Sequence, residues 1–122
     1  LGPVTSLAHV GAATEHATTR LSSPEAFLRI YDINVAGAVR LLQACSQDLI
    51  RARGAVVFTS SINARFGAAG LSAYAASKGA LETLMKTLAM EWADHGVRFN
   101  AVAPASIDTP MLRQSFALRP DP

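Results

Sequence analysis

Apolar residues in this chain recur as short strand-like runs, each followed by a helix-length stretch. Val4 to Val10 forms the first run, weakened as a strand by Thr5, Ser6 and His9. Gly11 to Leu21, rich in small residues and threonine, reads as a loop. Ser22-Ser23-Pro24-Glu25 then starts a helix, with a serine N-cap, a proline in the first turn and an early acid. The helix is expected to run to about Arg51, where Arg51, Arg53 and Gly54 complement the dipole and permit a left-handed exit. One stripe along it reads Phe27, Tyr31, Asn34, Ala38, Leu41 and Cys45. Ile30, Ile33, Val35, Val39, Leu42 and Leu49 spread the apolar surface well beyond that stripe, so the helix is expected to be covered on most sides.

Ala55 to Ser61 is a continuous apolar run with β-branched residues, the pattern of a buried parallel strand. A glycine- and alanine-rich loop, Ile62 to Leu71, leads into a second helix over Ser72 to His95, closed by Gly96. Leu81, Leu84, Met85, Leu88 and Trp92 are its apolar stripe. Val97 to Ala103 alternates as a third strand, which Pro104 ends. Ile107 to Phe116 is expected to begin a short helix, capped by Asp108 or Thr109 with Pro110 in its first turn.

Strand, helix, strand, helix, strand predicts an α/β fold with a parallel sheet and helical crossovers. Such sheets bind ligands beyond the C-terminal ends of their strands. Ser61, the start of the Tyr74 helix and the segment Pro104 to Thr109 all fall there.

Composition narrows the function. The chain has 122 residues, half of them hydrophobic, which suits a single globular domain over 1–122. A formal charge of +2, with no basic stripe, gives no electrostatic case for nucleic acid or an anionic membrane. No apolar run reaches a membrane span and no basic leader precedes an apolar core. A single cysteine, Cys45, makes no internal disulfide, so a reducing, cytoplasmic setting is expected. Leu1 in place of an initiator methionine suggests part of a longer polypeptide. His9, His16 and His95 show no metal-ligand spacing, and no metal is expected.

Tyr74 and Lys78, four residues apart, share one face of a helix. A cation beside a phenol stabilises phenolate and lowers the tyrosine pKa, which favours proton transfer to and from oxygen. Each candidate also has a plain structural reading. Ser61 fits a turn after a strand, Asn34 a hydrogen-bonded core amide, and Ile107 and Thr109 capping and packing residues. Cys45 reads as a small buried hydrophobe, and Arg113 and Arg119 as solvated.

From about Ser22 to Leu112 the chain resembles the short-chain dehydrogenase/reductase family, in particular its compact oxidoreductases. The resemblance rests on Asp32-Ile33-Asn34-Val35, Phe58-Thr59-Ser60-Ser61, Ala73-Tyr74-Ala75-Ala76-Ser77-Lys78-Gly79-Ala80, Val97 to Pro104 and Ile107-Asp108-Thr109-Pro110-Met111, in that order. It implies a Rossmann-like doubly wound sheet and hydride transfer between NAD or NADP and a small carbonyl or alcohol substrate. Tyr74 would be the general acid or base, and Lys78 would lower its pKa and hold the cofactor ribose. Ser61 would orient the substrate oxygen, and Asn34 would interrupt its helix and hold a water that relays protons to Lys78. Pro104, the Ile107 backbone and the Thr109 side chain would meet the nicotinamide end of the cofactor. The resemblance also implies a homo-oligomer joined through the two long helices.

The chain departs from the family pattern in places. Its eight glycines include no dinucleotide-binding turn. His9-Val10-Gly11-Ala12 stands where the family has Asn-Asn-Ala-Gly, and Ala105 replaces a glycine. The expectation is therefore an incomplete domain with an open sheet edge and weak cofactor binding. Two rivals remain at this stage: an extended relative such as a nucleotide-sugar epimerase, and a noncatalytic interaction or structural fragment lacking dinucleotide binding.

Overall fold

The computed structural model describes residues 2–118. Strands β1 (Ser6–His9), β2 (Ala55–Thr59) and β3 (Arg98–Val102) form one parallel sheet in the order β1-β2-β3. His9 pairs with Phe58, and Phe58 with Ala101. Parallel neighbours need crossovers, and both are helical. Between β1 and β2 run α1 (Pro24–Tyr31), a π turn (Asp32–Ala36) and α2 (Gly37–Ala52). Between β2 and β3 run α3 (Asn63–Phe66) and α4 (Ser72–Glu91); α5 (Pro110–Ala117) follows β3. The α/β class and parallel order expected from the pattern are observed, with β1 and β3 shorter than their apolar runs at both ends and β2 shorter at its C-terminal end.

The helix starts follow the side chains. Ser23 accepts a hydrogen bond from the Ala26 N–H at 3.1 Å, and Thr109 accepts one from the Leu112 N–H at 3.2 Å. Each is followed by a proline whose fixed φ suits a first turn.

The end of α2 differs from expectation. The left-handed residue is Arg53, at φ 48°, not Gly54. Gly54 is required for another reason: a Cβ there would strike the Thr5 carbonyl oxygen and lie 3.1 Å from Leu49 Cδ2. The Gly54 N–H closes the helix by donating to the Leu49 carbonyl at 2.9 Å. The loop after β2 also contains α3, one helical turn that the glycine- and alanine-rich composition hid.

The core lies between one face of the sheet and the helices. Val56, Phe58 and Phe99 meet Leu42, Leu49, Leu81 and Leu88, all buried. Burying such a side chain contributes about 1.5–3 kcal/mol. Phe99 also takes the edge of Trp92, ring centres 5.5 Å apart. Alternate residues of β2, Ala55, Val57 and Thr59, are only half-buried, so this strand is covered mainly on one face.

The first long helix is not covered on most sides as expected. Ile30, Asn34, Val35, Ala38, Leu42 and Leu49 turn inward, while Leu28, Tyr31, Ile33 and Leu41 remain exposed. Crossover helices on one side of three strands meet protein on one flank only, and the broad apolar surface exceeds what that flank buries.

Replacing Gly54 by Ala is expected to lower unfolding free energy by about 1–3 kcal/mol through overpacking against Thr5 and Leu49. Urea denaturation followed by circular dichroism checks this; an unchanged midpoint would mean that the Thr5 strand shifts at no cost.

Candidate active site

Strand β2 stops at Thr59, and the next two residues leave the sheet toward α4. Ser60 N–H still donates to the Val102 carbonyl at 2.7 Å, and Ile62 N–H to the Pro104 carbonyl at 3.1 Å. These bonds carry the β2–β3 pairing past the strand ends and bring Ser61 alongside Pro104. Helix α4 begins at Ser72 and passes across this mouth, presenting Tyr74 and then, one turn later, Lys78.

Lys78 is 1% exposed although it is a lysine. Its Nζ donates to the Thr59 carbonyl at 2.6 Å and stands 5.6 Å from the centre of the Tyr74 ring. Burial lowers its pKa to about 8. Tyr74 is half-buried, and its phenol moves the other way. Burial pushes it above its usual value, while a hydrogen bond with Ser61 pulls it back. The Tyr74 phenol is therefore raised rather than lowered: loss of water outweighs the Ser61 hydrogen bond, while the Lys78 ammonium donates to the Thr59 carbonyl. Ser61 is itself buried and accepts from the Asn63 N–H at 3.2 Å, which fixes its oxygen at the head of α3.

Asn34 is fully buried in the π turn, where the Gly37 N–H reaches back five residues to the Asp32 carbonyl. A regular α-helix is thus interrupted at Asn34, as the resemblance implies. Its Oδ1 accepts from the Ala13 N–H at 2.7 Å; its Nδ2 donates to the Ala13 carbonyl and to Ser77 Oγ, both at 2.9 Å. Both amide protons are taken. The side chain clamps the loop after β1 as a neighbouring strand would, and it also holds α4 one residue before Lys78.

These elements enclose a cleft of about 370 Å³. Ser61, Tyr74, Lys78, Pro104, Ile107 and Thr109 all line it, so the structure brings together every sequence candidate except Asn34, which supports the wall from behind. Thr14 and His16, from the loop that Asn34 clamps, line it too. Nothing in the amino-acid pattern marked them, because an irregular loop has no period from which to read a face. That loop is tied to the foot of α4 by the Ala17 N–H, which donates to the Gly70 carbonyl at 3.0 Å, and by Thr19 Oγ1 to Ser72 Oγ at 3.1 Å.

The cleft holds polar groups free to meet the hydroxyls of a ligand. Lys78 has three donors and spends one on Thr59, leaving two for hydroxyl groups. Thr14 Oγ1 is buried with no hydrogen-bond partner. Ile107 is exposed beside Thr109 on the opposite wall.

Elsewhere, His9 is buried with Nδ1 unpartnered, packed edge-on against Phe58. Burial, then the Lys78 charge, lowers its pKa. Cys45 is half-buried against the core. Arg113 is exposed but paired with Asp108 at 2.7 Å rather than simply solvated, and Arg119 lies outside the described residues. Among the described residues no helix is long and apolar enough to cross a membrane, and no three His, Cys, Asp or Glu side chains gather as a metal site.

The family model described as short chain dehydrogenase matches residues 1–119. An L-fucose dehydrogenase of Oryctolagus cuniculus is 33% identical over 101 residues, covering 83% of this chain and 36% of that protein. An inactive 2-(S)-hydroxypropyl-CoM dehydrogenase 2 of Xanthobacter autotrophicus is 32% identical, covering 100% of this chain and 54% of its own length. Among solved structures, a short chain dehydrogenase from Shigella flexneri complexed with NADP superposes with a TM-score of 0.86 at 30% identity, covering 97% of this chain and 50% of that one. The chain spans 33–36% of the length of the first curated relatives it matches.

Lys78 gives a pH signature. Its folded pKa, about 8, lies below the ordinary lysine value of 10.5, so above about pH 8 the folded state binds fewer protons than the unfolded state. Stability is expected to rise from about pH 8 toward the ordinary lysine value, and this rise should vanish in Lys78→Met. Urea titrations across that range, on both proteins, test it; parallel curves would show that Lys78 is not desolvated.

Proposed function

The chain belongs to the short-chain dehydrogenase/reductase family, and we propose that its cleft transfers hydride between NAD or NADP and a small carbonyl or alcohol substrate. The observation that carries this reading is the meeting of three donors at one mouth: the Ser61 hydroxyl, the Tyr74 phenol and a buried Lys78 ammonium with two free N–H groups.

Each side chain then has a defined task. Ser61, buried and held by the Asn63 N–H, donates to the substrate oxygen and sets it against the phenol. Tyr74 gives its proton to that oxygen as negative charge develops in reduction, and takes it back in oxidation. Lys78, fixed by the Thr59 carbonyl, offers its remaining donors to ribose hydroxyls, while Pro104, Ile107 and Thr109 form the facing wall. When bound, the nicotinamide supplies or accepts the hydride. Asn34 acts mainly by position: with both amide protons committed, a water relaying protons to Lys78 can only donate to it. Exposed Leu28, Leu41 and Met90 on the long helices supply an apolar surface for a second copy.

A noncatalytic reading has two observations in its favour, the lack of a dinucleotide-binding turn among the eight glycines and the alignment of all of this chain with 54% of a relative named as inactive. Nicotinamide fluorescence with NADH and NADPH separates the two readings. Saturable binding by the folded chain, with turnover of a carbonyl substrate that falls about 100-fold or more in Tyr74→Phe while binding persists, supports the enzyme. A folded chain that binds neither nucleotide sinks the catalytic reading for these residues.

A further inference from the structure

We propose that Glu82 is a positioning residue for this site, tying the end of β2 and the short helix α3 to α4 and so setting where the Ser61 hydroxyl stands relative to Tyr74. The inference rests on the reading above, in which Ser61, Tyr74 and Lys78 handle a substrate oxygen.

Glu82 lies one turn beyond Lys78 on α4, with its side chain 16% exposed. A half-buried carboxylate needs partners, and it has them on both oxygens. Ser60 Oγ, 2% exposed, is 2.7 Å from Oε1, and Arg65 Nε is 3.5 Å from Oε2. Ser60 Oγ also lies 3.2 Å from the Lys78 carbonyl. A hydroxyl has one proton, and the shorter contact to a charged oxygen takes it. The Arg65 contact is long and its guanidinium exposed, so the Ser60 bond carries most of the restraint.

The two partners bracket Ser61. Ser60 precedes it directly and follows Thr59, whose carbonyl holds Lys78. Arg65 belongs to α3, whose first N–H, that of Asn63, donates to Ser61 Oγ. One carboxylate therefore grips the chain on both sides of Ser61 and anchors it to the helix that carries Tyr74 and Lys78. Glu82 touches neither reacting atom in this role; it works through Ser60.

Ser60→Ala, Glu82→Leu and Glu82→Gln in the full chain test the assignment. Glu82→Gln keeps an acceptor for Ser60 and loses only charge. The first readout is the Lys78 titration by NMR on lysine-labelled protein, which needs no activity. Loosening β2 from α4 admits water to Lys78, so its midpoint should rise from about 8 in Ser60→Ala and Glu82→Leu, and should hold or fall, but not rise, in Glu82→Gln. Removal of the Glu82 charge alone would push Lys78 the opposite way, so a rise reports the opened wall. The second readout is carbonyl reduction, where kcat should fall about 10-fold to 100-fold with KM little changed in the first two variants, and recover in Glu82→Gln.

Unchanged Lys78 midpoints in folded Ser60→Ala and Glu82→Leu would overturn the proposal. Should Glu82→Leu fail to fold, Ser60→Ala, a loss of one oxygen, decides alone. A risen midpoint in a chain that never reduces carbonyls would uphold the positioning role and reject the catalytic reading; activity with unmoved midpoints would do the reverse.

Discussion

The bond from Lys78 Nζ to the Thr59 carbonyl is the constraint around which the site is built. An ammonium withdrawn from water is costly, and here a single short hydrogen bond and the face of Tyr74 stand in for its solvation. That arrangement requires the last residue of β2 to sit within reach of the second turn of α4. It also leaves the Thr59 carbonyl, which has run out of strand, with a partner. Ser60 answers from the strand side, packed between the Lys78 carbonyl and Glu82. Strand end and helix thus hold each other through both backbone and side chain, and Tyr74 and Ser61 inherit their separation from that junction.

Asn34 does for the loop after β1 what a strand would do. By exchanging both backbone hydrogen bonds of Ala13, it gives an irregular segment a fixed address without adding it to the sheet. The π turn is the structural consequence, since a widened turn accompanies an amide aimed into the core instead of along the stripe. The third contact, to Ser77, links that loop to α4 beside Lys78. Loss of Asn34 would leave several buried backbone and hydroxyl groups to find new partners, each at about 1–3 kcal/mol. A single residue therefore couples three segments distant in sequence, two of which line the cleft.

How much of this could be read from the sequence depended on the range of the interactions. Tyr74 and Lys78 share a helix face by local geometry, and Ser61 follows an apolar run that could only be a buried strand; both were legible. So were a serine cap at Ser22-Ser23 and a cap at Asp108 or Thr109, because a cap acts within one turn, and the structure selects Ser23 and Thr109. Gly54 was misread as the left-handed residue because its real constraint, the Thr5 carbonyl, lies just before β1, far away in sequence. The breadth of the apolar surface on α1 and α2 was read correctly as residues but not as coverage, since three strands and their crossovers bury only one flank. The clamp at Ala13 and the cleft positions of Thr14 and His16 left no periodic trace at all.

Burial moves the two titrating groups of the site in opposite directions, and the outcome defines its resting chemistry. Lys78 falls to about 8 and Tyr74 rises above its ordinary value, both because the charged form loses water. At neutral pH the two still keep their protons, and when a substrate oxygen replaces the Ser61–Tyr74 hydrogen bond, they and Ser61 can turn three donors to one space. Such a site matches an oxygen that gains negative charge, which is the proton-donating direction of the proposed reaction. The reverse direction needs a phenolate, and a phenolate in this half-buried place needs more positive charge nearby than a lysine turned toward Thr59 provides. In the proposed reaction, a group entering the cleft with a positive charge would supply it, so proton abstraction by Tyr74 would depend on what is bound, whereas proton donation would use groups that the chain already holds.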